Sequence, residues 1–343
     1  MAANPEEAVR QPEQAVGPAS AKAAQAARRR AELRAERITA GLDDLELWLT
    51  DQVRAGLTTL KRAGYREIDE QARRLVDAQA PGAAARVREL AGVLAEEDWA
   101  DRTLTEFALL HLLIQGWRNQ PALPGPLAST VRRRVGITLT SAEIARVGEH
   151  VTDEWLVLGT RDYSRDKLVE RRTWLQGGRD GRIALLLSFA PPGQPLGLAL
   201  PVGTRFDIEL VFVPEAVPLR AVVARHGETL GLAEPDPLLP DQNLAALAEG
   251  FAAMLAADPW TTAIPGVVAG AELAFDAEGD GWWVLDQDGQ SMVPLIVTGE
   301  KIDRLRYQLL AACGGRPAAL FGEYQPTGFT PITVFTDGQA VSV

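Results

Sequence analysis

Cysteine is almost absent from this chain: Cys313 is the only one in 343 residues. No intrachain disulfide can form, and no thiolate cage for zinc or an iron–sulfur cluster can be assembled. Such usage fits a reducing compartment. Histidine is scarce as well. His111, His150 and His226 stand far apart, so a histidine-rich metal centre and the Ser-His-Asp arrangement of hydrolases both lack parts. Apolar runs long enough to span a bilayer are missing, and the start MAANPEEAVRQPEQAV has neither a basic beginning nor an apolar core of the secretory kind. These absences predict a cytoplasmic chain with no membrane association, no cofactor, no metal site and no catalytic residue.

What is present is ordinary globular material. Hydrophobic residues make up 46% and charged residues 24%, and the length exceeds what one core needs, so two units plus a tail are expected. The formal charge of −11 is uneven: residues 1–140 hold 20 Lys and Arg against 19 Asp and Glu, which leaves a balance of −12 for 141–343. An acidic C-terminal part repels nucleic acid as a whole, so any phosphate-binding surface belongs in the N-terminal part.

Residues 1–20 carry almost no bulky apolar side chains and are expected to form a disordered tail. Residues 21–37 (AKAAQAARRRAELRAER) are strong helix formers with few apolar anchors, which predicts a solvated linker helix. Leu42, Leu45, Leu49 and Val53 then recur at intervals of three and four, as do Ile68, Ala72, Leu75 and Val76, and then Val87, Leu90 and Leu94. Thr103 and Glu106 have capping-box spacing ahead of Phe107, Leu110, Ile114 and Trp117, and Thr140 and Glu143 repeat it. A helical domain is expected over 38–150.

After Glu154 the period shortens to two. WLVLG, RRTWL, RIALLLSF, RFDIELVFV and LRAVVAR read as strands, with Phe206, Ile208, Leu210 and Phe212 on a buried face and Asp207 and Glu209 on a solvated one. One long helix is expected at Leu244, Leu247, Phe251, Met254 and Leu255, and two hairpins at the Asp288-Gly289 and Asp337-Gly338 turns. The class is therefore α+β: an N-terminal helical unit, then a strand-rich, mostly antiparallel domain over 151–343 with one long helix.

Few residues suggest chemistry. Arg28, Arg29, Arg30, Arg34 and Arg37 could neutralise phosphates, although Glu32 and Glu36 interrupt them and no aromatic is interleaved for base stacking. Arg132, Arg133 and Arg134 form a second short basic cluster. Asp276, Glu278, Asp280 and Gly281 imitate the first half of a calcium loop, but Gln287 stands where a bidentate Glu is needed, so a solvated turn is the better reading. Gln176-Gly177-Gly178-Arg179-Asp180-Gly181 lies between two strand runs and reads as a turn, not a phosphate loop. His111, inside an apolar helical stretch, is expected to be buried and hydrogen-bonded. Cys313 is expected to be a small buried hydrophobe. Trp282 and Trp283 are adjacent, so period two puts their rings on opposite faces.

The phrases LDDLELWLTDQVRAGL, LVDAQAPGAAARVRELAGVL, LLHLLIQGWRN, DEWLVLGTRDY followed by RRTWLQGGRDGRIALLLSFA, FVPEAVPLRAVV, AADPW and GGRPAALFGEY resemble the region that follows the zinc module in bacterial SWIM zinc finger family proteins. The resemblance covers about residues 22–343. It implies a Cys-x-Cys…Cys-x-His zinc motif upstream, which this sequence does not contain, so zinc and zinc-finger DNA binding transfer to no residue here. The chain reads either as the body of a longer zinc protein or as a finger-less relative. The resemblance also implies protein partners, a MoxR-type AAA ATPase and a von Willebrand A-type protein. The expected function is a non-enzymatic interaction or scaffold component. The alternative is nucleic-acid binding through the arginines of 28–37.

Overall fold

The computed structural model describes residues 18–165, 168–232, 243–276, 281–297, 302–336 and 338–343. Residues 1–17 of the expected tail, and Glu278 and Asp280 of the acidic loop, lie outside them. The chain divides into two compact units, residues 1–118 with 134–137, and residues 119–133 with 138–343.

The first unit is helical. Five helices follow one another: α1 (Pro18–Ala55), α2 (Leu57–Ala63), α3 (Tyr65–Asp77), α4 (Pro81–Val93) and α5 (Trp99–Arg118). α1 packs on α3 and α5, and α4 packs on the same two, so four long helices close a ring around one core. The Ala/Arg stretch is the N-terminal part of α1, and the core stripe begins at Ile38. Leu42, Leu45 and Leu49 are buried with Ile68, Ala72, Leu75, Val87, Leu90, Phe107, Leu110, Ile114 and Trp117. Each large aliphatic side chain among them contributes about 1.5–3 kcal/mol of apolar burial. Val53 and Val76 fall at the ends of their helices and are exposed.

Two expectations need correction. α5 starts at Trp99, so Thr103 lies inside the helix, buried, and Glu106 pairs with Arg86 at 2.9 Å instead of closing a cap. His111 is 54% exposed at its side chain, with Nδ1 3.3 Å from Glu46 Oε1. An apolar run on a helix still presents one position per turn to solvent, and His111 occupies it.

In the second unit, β1 (Glu149–Arg165), β2 (Leu168–Gly177), β3 (Ile183–Ala190), β4 (Thr204–Phe212) and β5 (Arg220–Leu232) form a closed barrel in the order β1-β2-β3-β5-β4. The long β1 pairs with β4 through its first half and with β2 through its second. Closure comes from a short parallel contact, Leu185 and Leu186 against Arg220 and Ala221. This strand order, with a shared first strand and a parallel seam, is that of an OB-type barrel. Trp155, Val157, Leu175, Phe206, Ile208, Leu210 and Phe212 fill its interior.

The remaining strands are β6 (Ile264–Phe275), β7 (Trp282–Leu285), β8 (Met292–Pro294), β9 (Ala318–Gln325), β10 (Gly328–Thr336) and β11 (Gln339–Ser342). They form one sheet in the order β11-β10-β9-β6-β7-β8. Both expected hairpins are present, as β7–β8 and β10–β11. One face of the sheet is covered by α8 (Leu244–Ala257) and α9 (Ile302–Cys313). Its other face meets the barrel wall, where Leu156, Leu158 and Trp174 pack on Val267, Phe321, Ile332 and Phe335. The sequence pattern predicts one long helix in this domain, and α9 is a second. Its buried residues, Leu309 and Cys313, give only one repeat of the helical spacing. In chain order α6 (Gly125–Val135) and α7 (Ser141–Val147) come between α5 and β1. α7 begins with the expected capping box, Thr140 and Glu143 bonding each other's backbone N–H.

Gly41 offers a test of the bundle. A Cβ there would sit 2.3 Å from Ala78 Cβ. Alanine normally gains about 1 kcal/mol over glycine inside a helix. Here the steric cost wins, and Gly41→Ala is expected to destabilise the protein by about 1–3 kcal/mol in urea unfolding. A gain in stability would show that α1 is not held against the end of α3.

Candidate functional site

The barrel strands alternate, and the outward side of β1, β4 and β5 carries charge where the inward side carries the core. Glu154 stands directly opposite Asp207, Thr152 opposite Glu209, and Glu209 opposite Arg225. Gly178 and Arg179, in the β2–β3 turn, border the same surface. Thr152, Glu154, Asp207, Arg225, Gly178 and Arg179 line an open cleft of about 750 Å³ together with Asp153, Arg205, Gly227, Glu228 and Leu230, and Glu209 lies next along β4, outside that lining. At one side of the cleft Leu156 is buried against the second sheet. Along β4 in the other direction, Ile144 of α7 covers Val211 and Val213, which is why Val211 is buried although its strand neighbours Asp207 and Glu209 point outward.

Charge of both signs is ordered along the cleft. Arg225 Nη1 donates to Asp207 Oδ2 at 3.1 Å, and its Nε lies 3.9 Å from Glu209 Oε2. The hydrogen bond to Asp207 raises the Arg225 pKa further above its ordinary value. Asp153 is buried and accepts from the Glu154 and Arg179 backbone N–H groups at 2.8 and 3.1 Å, with Arg179 Nε at 3.6 Å. Among the described residues, the carboxylates of Glu154 and Glu228 and the guanidinium of Arg205 have no hydrogen-bond or ion-pair partner, and Arg205 Nε is itself buried. Gly227 is required by contact. A Cβ there would lie 2.6 Å from the carbonyl oxygen and from Oδ2 of Asp207.

His150, at the start of β1, ends the charge ladder. Its Nδ1 is 2.8 Å from Glu209 Oε1 and its Nε2 is 2.8 Å from the carbonyl oxygen of Ala145 in α7. Both neighbours are acceptors, so only the imidazolium can donate to both. The carboxylate of Glu209, and then the Ala145 carbonyl, raise its pKa.

The arginines singled out in the sequence are not alike. Arg28, Arg29, Arg30 and Arg37 are exposed on α1. Arg34 is half-buried, and its Nη2 donates to the Gly136 carbonyl at 3.1 Å. Arg133 is committed to Glu215, which is only 6% exposed, with Nε 2.6 Å from Oε1 and Asp258 Oδ2 3.9 Å from Nη2. Cys313 is buried at the end of α9, and burial pushes its thiol pKa up. Trp282 and Trp283 are both half-buried on opposite faces of β7; Trp282 stacks on Phe275 at 5.3 Å beneath the Arg306 guanidinium. Asp276 Oδ2 accepts from the Gly281 N–H at 2.9 Å, closing the β6–β7 turn. Among the described residues no group of three or more His, Cys, Asp or Glu side chains is placed to hold a metal ion, and no helix is long and apolar enough to cross a membrane. The cleft was not legible in advance, because its residues come from four separate segments whose only shared signal is the outward position on a strand or turn.

A ring of four helices followed by an OB-type barrel and a second sheet defines an α+β protein whose helical part stands as a module of its own. Residues 33–135 match the family described as the SWIM-associated four-helix bundle domain. The resemblance to SWIM family proteins thus holds over the bundle, in a sequence without the zinc motif. No curated protein and no solved structure matches the chain.

The two kinds of arginine separate in a stability measurement. Arg133→Ala leaves Glu215 buried without its closest cation and is expected to cost about 3–5 kcal/mol. Arg37→Ala is expected to stay within about 0.5 kcal/mol of the parent. Equal unfolding midpoints for the two variants would contradict the assignment.

Proposed function

We propose that the chain is a non-enzymatic interaction component of a bacterial cytoplasmic multiprotein system, acting with a MoxR-type AAA ATPase and a von Willebrand A-type protein. Its docking surface is the mixed-charge cleft of the barrel. One observation carries the reading: Glu154, Glu228 and Arg205 project into an open cleft with no partner among the described residues. Glu154 and Glu228 are exposed and hydrated while Arg205 Nε is buried, and a complementary segment supplies all three with charged or hydrogen-bonding partners on binding. The two free carboxylates outnumber the one free guanidinium, so a segment with an excess of Lys or Arg fits best. The side chains of catalytic type support the same reading. Cys313 is buried, and His150 is tied at both nitrogens.

The alternative is nucleic-acid binding through α1, favoured by the exposure of Arg28, Arg29, Arg30 and Arg37 along one helix. Phosphate contacts by these side chains would give a steep salt dependence.

The readings separate experimentally. The tagged chain is incubated with the purified ATPase and the von Willebrand A-type protein, in parallel with a variant carrying Glu154→Lys and Glu228→Lys. Binding to the parent with about tenfold or greater weakening in the variant is expected. Binding that ignores the substitutions removes the cleft from the reading, and no binding of either protein removes the partners. Retention of labelled single- or double-stranded DNA on a filter at low salt, lost on replacing Arg28, Arg29, Arg30 and Arg37 by Ala, would favour the alternative.

A further inference from the structure

We infer that His150 is a proton-operated latch on the barrel cleft: as imidazolium it holds Glu209 and the end of α7, and as neutral imidazole it releases Glu209 onto Arg225 and leaves Asp207 open to a basic segment. The inference rests on reading the cleft as a docking surface, and it adds the regulation of that surface.

The geometry leaves the imidazole little choice. Glu209 Oε1 and the Ala145 carbonyl oxygen each lie 2.8 Å from a ring nitrogen. A neutral ring carries one N–H, so one of the two contacts must become a lone pair facing an oxygen. The side chain is 48% exposed, so the proton exchanges freely with solvent. The groups around it are few. On β4 there is Glu209, with Val211 directly opposite His150. On β5 Arg225 stands behind the Glu209 carboxylate at 3.9 Å. On α7 the Ala145 carbonyl is flanked in sequence by Arg146, while Glu143 is occupied by the Thr140 N–H at 2.8 Å. On β1 itself Glu149 pairs with Arg182 at 2.8 Å and Thr152 is uncharged. Among the described residues, Glu209 is thus the one carboxylate paired with His150, and Arg225 is the one other cation paired with Glu209.

The consequence runs along the strand faces. Arg225 now favours Asp207, at 3.1 Å, over Glu209, at 3.9 Å. When His150 loses its proton, Glu209 has one cation left to turn to. Arg225 becomes shared between two carboxylates, and the negative charge it no longer neutralises falls on Asp207, which lines the cleft opposite Glu154. The cleft then attracts a Lys- or Arg-bearing segment more strongly.

The sign follows from linkage. A histidine whose folded-state pKa is raised adds stability in full below its unfolded value of about 6.5, and that stability is lost as pH rises through the folded value. Partner affinity moves the opposite way, weaker at low pH and stronger above the latch.

The test uses the full chain. His150 is titrated by NMR from its ring C–H signals, and binding of a synthetic (Lys-Ala)5 peptide is followed by fluorescence anisotropy at pH 6.0 and 8.5. His150 is expected to titrate above the ordinary histidine value, and Glu209→Gln is expected to bring it back down. The peptide is expected to bind about two- to fivefold tighter at the higher pH, and His150→Gln, which cannot take a proton, is expected to remove that difference. A His150 titration at or below the ordinary value overturns the latch, and so does an unchanged pH dependence in His150→Gln. Absence of peptide binding at both pH values overturns the docking reading instead, with the NMR titration still deciding the latch.

Discussion

Four consecutive residues, Trp155 to Leu158, are at most 3% exposed, and this one constraint organises the second unit. Successive side chains of a strand point to opposite faces, so a fully buried run needs apolar material on both sides. Trp155 and Val157 supply the interior of the barrel, and Trp155 Nε1 donates to the Ile208 carbonyl there at 3.1 Å. Leu156 and Leu158 would face water on a free-standing barrel. The second sheet covers them, and Gly159 allows its close approach, since a Cβ there would lie 2.7 Å from Ile332 Cγ2. The sheet therefore occupies the outer wall near β2 and β3, where OB-type barrels commonly bind oligonucleotides. What stays open is the wall of β1, β4 and β5, and that is where the charged cleft lies.

How much of this was legible depends on whether a signal is local. The strand RFDIELVFV declares its faces because Phe206, Ile208, Leu210 and Phe212 alternate with Asp207 and Glu209. Both hairpin turns are legible because Asp-Gly permits the turn wherever it sits. Thr140 and Glu143 form a capping box and Thr103 and Glu106 do not, although the spacing is identical. The difference is local backbone: Thr140 is itself extended, while Trp99 to Arg102, ahead of Thr103, are already helical. Helix starts are decided by the first turn that packs, and packing is not a property of four residues. Val211 makes the same point, since its burial depends on Ile144, far away in sequence. The candidate site is the extreme case. Asp207 and Glu209 were visible as a solvated face, but nothing local joins them to Arg225, Arg179 or His150.

Arginine shows how the same residue type divides by environment. On the N-terminal part of α1 it serves as solvated charge. In Arg133 it neutralises a buried carboxylate, where losing the cation costs far more than an exposed pair ever contributes. Arg118 lies between these extremes, bonded to both Asp43 and Glu46, and its hydrogen bond holds the Glu46 carboxyl below the usual carboxylate range. Composition counts all of these equally. A basic cluster in a sequence therefore says little about phosphate binding until the paired members are removed, and removing Arg34 and Arg133 thins both clusters found here.

The acidity of residues 141–343 gains a location by the same reasoning. Many of its carboxylates are spent: Asp153 on two backbone N–H groups, Asp162 on Arg171, Glu149 on Arg182, Asp286 on the N-terminus of α8 through the Leu244 N–H. Asp286 does this at a cost, since burial raises its pKa even with the hydrogen bond in place. Charges consumed in this way contribute to the long-range field but offer nothing to a ligand at contact distance. Contact chemistry needs carboxylates that are near one another and unsatisfied. In the cleft Glu154 and Asp207 face each other across two strands, with only Arg225 holding the second. A like-charged cross-strand pair is unfavourable on its own. Here it persists where a neighbouring cation, Arg225, itself shared with the histidine-linked carboxylate of Glu209, can tip the balance.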